Sequence, residues 1–402
     1  MMPKRNSQLI LIFTFFSVVL PPLGNDIFFA SLPTMGRDLA TAHVHWVVSV
    51  YLLGFALAQL AYGPLSERFG RRPLLLTALS LVLLGCSVVS VSGSFTVVLA
   101  ARFVQATGAC GVLCLVLAII RDSYPPKQIV RVTGVLFGIL GFVPAFAPLL
   151  GALMVTVVNW RSEFTFLVLL ALCCALITAV FFKESLAQKN HHALNVQTMV
   201  RSYRQLWLMK PYRYFCLVSC FSYASFFTFL CASPYLFIEP FKLTLVQYGA
   251  LVAVNGLGIV LSGFVVPMVS RRFSVIDLAL GGSVLLVVGA LALGLMHLGA
   301  PAKALWPIVL PAFVVNMGVG LIRPTASAGA ITSAPKSLAG PASALFSFTA
   351  FIGGAALSLL SQYAGARVTH LALLLLVTGT ATCFFAVKGW VHRHHSLKAS
   401  QN

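Results

Sequence analysis

Two ionisable residues lie deep inside long apolar runs of this 402-residue chain, Asp26 and Arg102. A charge near the centre of a bilayer costs at least about 2.5–3.5 kcal/mol, so a buried pair of this kind marks proton or substrate handling. Asp26 lies 17 residues beyond Leu9, where one apolar run begins, and Arg102 lies 18 residues before Ile120, where another ends. At about 1.5 Å per residue these are depths of roughly 25 and 27 Å from the same surface, which places a carboxylate and a guanidinium to pair. Asn25, Tyr51 and Gln105 fall close enough to line the same site. A carboxyl caught between desolvation and a nearby cation changes its proton affinity when the cavity opens or closes, and so can carry a proton. The same residues also fit a static ion pair, or an aspartate at the water boundary after the Pro21-Pro22-Leu23-Gly24 break.

The elements that must hold these groups are transmembrane helices. The chain is 59% hydrophobic and 9% charged, with a mean hydropathy of +0.96, against about 25% charged residues in a soluble domain. The apolar runs lack the alternation of barrel strands, so only helices satisfy their backbones. We read an all-α polytopic membrane protein with twelve spans, among them Leu9–Leu32, Phe95–Ile120, Phe164–Phe182, Ala304–Leu321 and Leu371–Val387. A basic polar interval divides them six and six: a first half over 1–182, a cytoplasmic linker over 183–213 and a second half over 214–402 with a short tail. The two halves are expected around a central cavity, and Arg271-Arg272-Phe273 echoes Arg71-Arg72 at an offset of 200 residues, as in an internal duplication. The net charge of +19 does not point to nucleic acid, because the cations gather in alternate loops. Lys4, Arg5, Arg68, Arg201, Arg204, Arg323, Lys388 and Arg393 fall on one side, and Arg37, Arg161, Lys242, Lys303 and Arg367 on the other. By the positive-inside rule both termini are cytoplasmic. The first span is too long for a signal-peptide core and is expected to be retained. All nine cysteines lie in apolar runs, where packing is their ordinary role.

Other residues fit around this frame. Gly63-Pro64-Leu65-Ser66-Glu67-Arg68-Phe69-Gly70-Arg71-Arg72 is a charged knot between two spans, with Gly70 able to end one helix and Pro73 to open the next at its first position. Asp122 falls at the same level and can pair with Arg68, Arg71 or Arg72, which makes a candidate cytoplasmic gate. The fifth span carries Gly134 and Gly138, a small-xxx-small face for close packing, then Pro144 and Pro148, which bend it, and Gly151. In the second half, Tyr223, Phe226 and Asn255 are candidate cavity residues, because aromatic faces with a few amides suit amphipathic or planar organic compounds. Asp26 is the one acid expected at depth, so no converging catalytic cluster is expected. No metal site and no cofactor are expected either.

These residues resemble a family. Gly63 to Arg72 is similar to the loop 2-3 signature of the major facilitator superfamily, with Glu67 where Asp is usual. Arg102-Phe103-Val104-Gln105 with Gly108 resembles its fourth-helix signature, and Ala147-Pro148-Leu149-Leu150-Gly151-Ala152 resembles its antiporter signature, with Ala152 where glycine is common. With Tyr51-Leu52-Leu53-Gly54, Ile120-Arg121-Asp122, Ser233-Pro234 and Ala342-Ser343-Ala344-Leu345, the match resembles the bicyclomycin/chloramphenicol-resistance (Bcr/CflA) branch of drug:proton antiporters. The resemblance implies proton-coupled efflux of small amphipathic compounds across a bacterial inner membrane. Asp26 takes the position of the family's first-helix aspartate, and Phe28 stands where Tyr is frequent. The partners expected are the small-molecule substrate, protons and membrane lipid, with the monomer as the working unit. The alternative is a facilitator-fold transporter of an endogenous metabolite such as a nucleoside, amino acid, peptide or siderophore.

Overall fold

Long apolar runs that must leave no backbone group unpaired in lipid close their hydrogen bonds within each segment, and the chain is helical accordingly. A computed structural model describes residues 16–399 except 187, 190–193, 300, 302–303 and 365–366. Among the described residues there is no strand, and eleven helices are long and apolar enough to cross a membrane. The start of the expected first span lies outside the described residues. The contacts divide the chain into two units, residues 1–196 and 197–402.

In the first unit, α1 (residues 16–26) tightens into a 3-10 turn at Ile27–Ser31 and then a short helix at Leu32–Asp38. There follow α2 (Trp46–Phe69), α3 (Arg71–Val91), α4 (Phe95–Ser123), α5 (Pro126–Val157) and α6 (Arg161–Phe181). α4 packs on α2 and α3, α3 also packs on α6, and α5 packs on the 3-10 turn. Pro73 is the third residue of α3, not the first: Glu184 takes up the N–H groups of Arg71 and Arg72, so the helix starts two residues before the proline.

The second unit begins with a surface helix, Val196–Leu208, within the expected linker. Then come α7 (Lys210–Phe241), α8 (Leu245–Val269), α9 (Val275–Gly299), α10 (Trp306–Ser333), α11 (Ala339–Ala364) and α12 (Val368–Ala399). α10 packs on α7, α8 and α9, and α7 packs on α11 and α12. Two observed helices run far past their expected ends. The tenth span was expected to stop at Leu321, ahead of Arg323-Pro324, yet α10 runs on to Ser333. Pro324 is accommodated inside the helix, and the stretch Thr325-Ala326-Ser327-Ala328-Gly329-Ala330 is weakly hydrophobic yet helical, with Thr325, Ala326, Gly329 and Ala330 buried. α12 likewise continues past Val387 through the basic tail to Ala399.

Candidate functional site

Arg102 sits eight residues into α4 with none of its surface exposed. Its Nη1 donates to Gly24 O at 2.8 Å and to Gln105 Oε1 at 2.8 Å, and its Nε points to Val47 O at 3.5 Å. The rings of Phe28 and Tyr51 each lie 4.3 Å from the guanidinium carbon, and that of Phe164 lies at 5.6 Å. Tyr51 is fixed in turn by donating its hydroxyl to Pro21 O at 2.9 Å. Two backbone carbonyls of α1, Pro21 O and Gly24 O, are thus engaged by side chains of α2 and α4.

Asp26 caps the 3-10 turn and is 3% exposed. Its Oδ1 accepts from Asn25 Nδ2 at 2.6 Å. The direct Asp26–Arg102 ion pair expected from matched depth is not among the described ion pairs. The described hydrogen bonds of Arg102 go to Gly24 O of α1, Val47 O of α2 and Gln105 Oε1, while Asp26 acts on it electrostatically. Asn25, Asp26, Tyr51, Arg102 and Gln105 all lie in the first unit, and the described hydrogen bonds link Asn25 to Asp26 and Arg102 to Gln105.

A second acid joins them. Glu163, in the first turn of α6, is completely buried. Ser31 Oγ lies 2.8 Å from both Glu163 Oε2 and Phe28 O, so its one proton serves one of the two. Among the described residues Glu163 Oε1 meets no hydrogen-bond partner, and Arg102 is the cation that acts on Glu163. This corrects the expectation of a single deep acid. Glu163 follows Asn159-Trp160-Arg161, which read as a loop, and one buried acid at the edge of an apolar run carries no distinguishing spacing. Gly151 of α5 closes the site from another side: a Cβ there would lie 1.9 Å from Ile27 O and 2.6 Å from Glu163 Oε1. Pro144 and Pro148 lie within α5 ahead of it.

At the opposite end of α3, the charged knot forms a clasp. Arg71 Nε binds Asp122 Oδ2 at 2.9 Å, and Arg71 Nη1 donates to Ser66 Oγ. Glu184 accepts from the N–H groups of Arg71 at 2.9 Å and Arg72 at 3.1 Å, while Arg72 Nη2 donates to Ala179 O at 2.7 Å. Of the expected partners of Asp122, Arg71 makes the close pair; Glu67 and Arg68 are exposed, and Gly63 has no neighbour within 4 Å of a Cβ position. Glu184 was missed because it reads as a linker residue. Part burial raises its proton affinity, but the N–H groups of Leu186, Arg71, Arg72 and Ser185 hold the carboxyl below its ordinary range overall. A carboxylate so depressed stabilises the clasp above its unfolded value and loses that contribution as pH falls through the folded one. Gly70 has φ +104° and ψ 163°, a region that is essentially glycine's alone and costs other residues about 1–3 kcal/mol. A Cβ there would also come within 2.6 Å of Glu184 Oε2. Gly70→Ala should therefore lower the melting temperature of the purified protein by several degrees, with Asp122→Asn costing less, as read by a thiol-reactive dye.

A further clasp ties the two chain segments near Ser92. Trp160 Nε1 donates to Asp38 Oδ2 at 2.9 Å, Arg161 Nη1 pairs with the same oxygen, and Arg161 Nη2 donates to Ser92 O at 3.1 Å. The Trp160 bond first, then that of Arg161, holds the Asp38 carboxyl below its ordinary range.

In the second unit, the Tyr223 ring lies 5.3 Å from that of Phe351, and Phe226 is 5.1 Å from Phe227. Asn255 Nδ2 donates to Leu251 O at 3.1 Å within its own helix, and its Oδ1 has no hydrogen-bond partner among the described residues. No described bond joins Asn255 to Tyr223 or Phe226, but Arg323 of α10 stacks on both aromatic rings. All nine cysteines are free, and the described residues hold no group of three or more metal ligands.

The Major Facilitator Superfamily profile matches residues 14–358. The chain is 24% identical over 394 residues to a bicyclomycin resistance protein homolog of Haemophilus influenzae, covering 95% of each. It is 26% identical to the multidrug resistance protein MdtL of Escherichia coli K12, over 77% of this chain and 79% of that one. The crystal structure of a D-xylose-proton symporter superposes with a TM-score of 0.75 at 14% identity, over 95% of this chain and 97% of the other. The chain belongs to the Major Facilitator Superfamily, and it is accordingly a transporter of small molecules rather than an enzyme.

Proposed function

We propose that the protein exports small amphipathic organic compounds across a bacterial inner membrane by alternating access, in exchange for protons. The observation that carries the proton step is the buried set of two carboxyls, Asp26 and Glu163, that share one cation, Arg102. Two buried anions against one cation leave a net charge out of water, which a bound proton removes at far less cost than desolvation. Asp26, with Asn25 Nδ2 donating to it, is the carboxyl that exchanges its proton; Glu163, with an unpaired Oε1, keeps its own through the cycle. The clasp of Arg71, Asp122 and Glu184 stands at the cytoplasmic gate, and the halves 1–182 and 214–402, joined by 183–213, alternate access with both termini in the cytoplasm. The monomer is the working unit. The similarity to resistance proteins supports drug-like cargo.

The role of Glu163 is tested by substitution. Glu163→Gln replaces a neutral carboxyl by a neutral amide of the same shape and should keep proton-driven uptake into inverted vesicles within about threefold of wild type. Glu163→Asp, which withdraws the group from Ser31, should lower it more. Loss of all proton-driven uptake in Glu163→Gln would reverse the two roles. Direction of flux in the same vesicles separates export from import of an endogenous metabolite.

A further inference from the structure

The second unit contains a cation that the transport scheme above does not use. Arg323 is four residues past the midpoint of α10, which spans Trp306–Ser333, so it lies only about 5 Å along the axis from the middle of a membrane helix. The sequence reading ends the tenth span at Leu321 and assigns Arg323 to the cytoplasmic segment beyond it, whereas α10 runs through Arg323 for ten further residues.

Its surroundings are unusual for an arginine so placed. The guanidinium carbon lies 4.4 Å from the Tyr223 ring centre and 5.1 Å from that of Phe226, so two π faces of α7 cover it. Stacking of this kind satisfies the faces of the guanidinium and leaves its N–H edge to find acceptors. Nε is buried and has no hydrogen-bond partner among the described residues. Residues 197–402 contain only two acids, Glu239 and Asp277. Both are at helix ends, and Asp277 is occupied by Ser274 and Trp390. Asn316, seven residues before Arg323 and so two turns away on the same face of α10, also has a buried Oδ1 without a partner among the described residues. The unit thus supplies an arginine edge and an aromatic platform, and among the described residues no carboxylate is paired with the arginine.

We propose that Arg323, with Tyr223 and Phe226, is a subsite for the anionic group of an aromatic organic acid, which makes aryl carboxylates a substrate class of this transporter. A planar carboxylate meets the Nε–Nη edge of a guanidinium through two parallel hydrogen bonds, and the ring attached to it extends along the surface offered by Tyr223 and Phe351. The proposal rests on the export reading for its physiological meaning, but its test is equilibrium binding and needs no flux.

Purified protein in detergent is titrated with benzoate, 2-naphthoate and anthracene-9-carboxylate, and with the three matching carboxamides. The expected result is tighter binding of a carboxylate than of its amide in at least one pair, and at least a tenfold loss of that carboxylate's affinity in Arg323→Gln, with the amide unchanged within twofold. Arg323→Lys keeps the charge without the planar fork and should recover only part of the affinity, and it stands in if Arg323→Gln does not fold. Equal binding of carboxylate and amide in all three pairs, absence of binding in all, or an equal loss of both classes on substitution would overturn the subsite. If the carboxylates bind through Arg323 but no compound is moved by a proton gradient, the export reading fails while the subsite stands.

Discussion

Asp26→Asn is expected to give a folded membrane protein that still binds its cargo and no longer concentrates it at the expense of protons. The side chain is 3% exposed and keeps nearly the same shape as an amide, so packing survives. What disappears is the ability to take and release a proton beside Arg102. Moving one charge through 100 mV supplies about 2.3 kcal/mol, which for a neutral compound exchanged for one proton supports a gradient of roughly 40-fold. In Asp26→Asn that gradient should collapse to equal concentrations inside and out, while counterflow, which needs no proton, continues. The check is uptake and counterflow in the same inverted vesicles. A 40-fold gradient in the variant would remove Asp26 from the proton step.

Gly151→Ala should be nearly as severe, for a steric reason. A single methyl at this position would lie 1.9 Å from a backbone oxygen, Ile27 O, well inside any tolerable contact, and 2.6 Å from Glu163 Oε1. Neither neighbour is the loose end of a flexible chain: Ile27 opens the 3-10 turn that Asp26 caps, and Glu163 is completely buried. α5 must therefore move away from α1, and overpacking of this kind costs about 1–3 kcal/mol. The displacement falls on the segment that carries Asp26, so transport should drop at least tenfold, with a lower melting temperature. Gly263→Ala in α8 is the control, because no atom lies within 4 Å of its Cβ position, and it should leave both unchanged. Normal proton-driven transport by Gly151→Ala would show that α5 does not set the Asp26 turn.

Much of this was legible in the chain because lipid makes charge conspicuous. Asp26 and Arg102 stand out in runs that otherwise exclude ions, and their distances from the run ends give their depths. Arg71 and Asp122 were readable as partners because they fall at the same level of neighbouring helices, although sequence left three arginines open and only packing chose Arg71. The missing parts share a cause. Glu163 and Arg323 lie where a polar residue is followed or preceded by an ordinary loop signal, Arg161 in one case and Pro324 in the other, so hydropathy ended the spans there. Glu184 acts through backbone N–H groups of a helix start 112 residues away, a contact that side-chain type does not announce. The bonding of Arg102 to Gly24 O likewise goes to a backbone carbonyl just before the 3-10 turn, which side-chain type does not announce.

The central claim is that substrate and proton exchange for one another at Asp26, and it is tested most directly by recording both fluxes together. Proteoliposomes holding the purified protein and a pH-sensitive dye would be given a compound whose cellular accumulation changes when the protein is deleted. The account predicts proton movement opposite in direction to the compound, starting with it, absent without it, and abolished together with uphill transport in Asp26→Asn. Compound accumulating uphill with no accompanying proton movement, or proton-coupled accumulation persisting in Asp26→Asn, would contradict it.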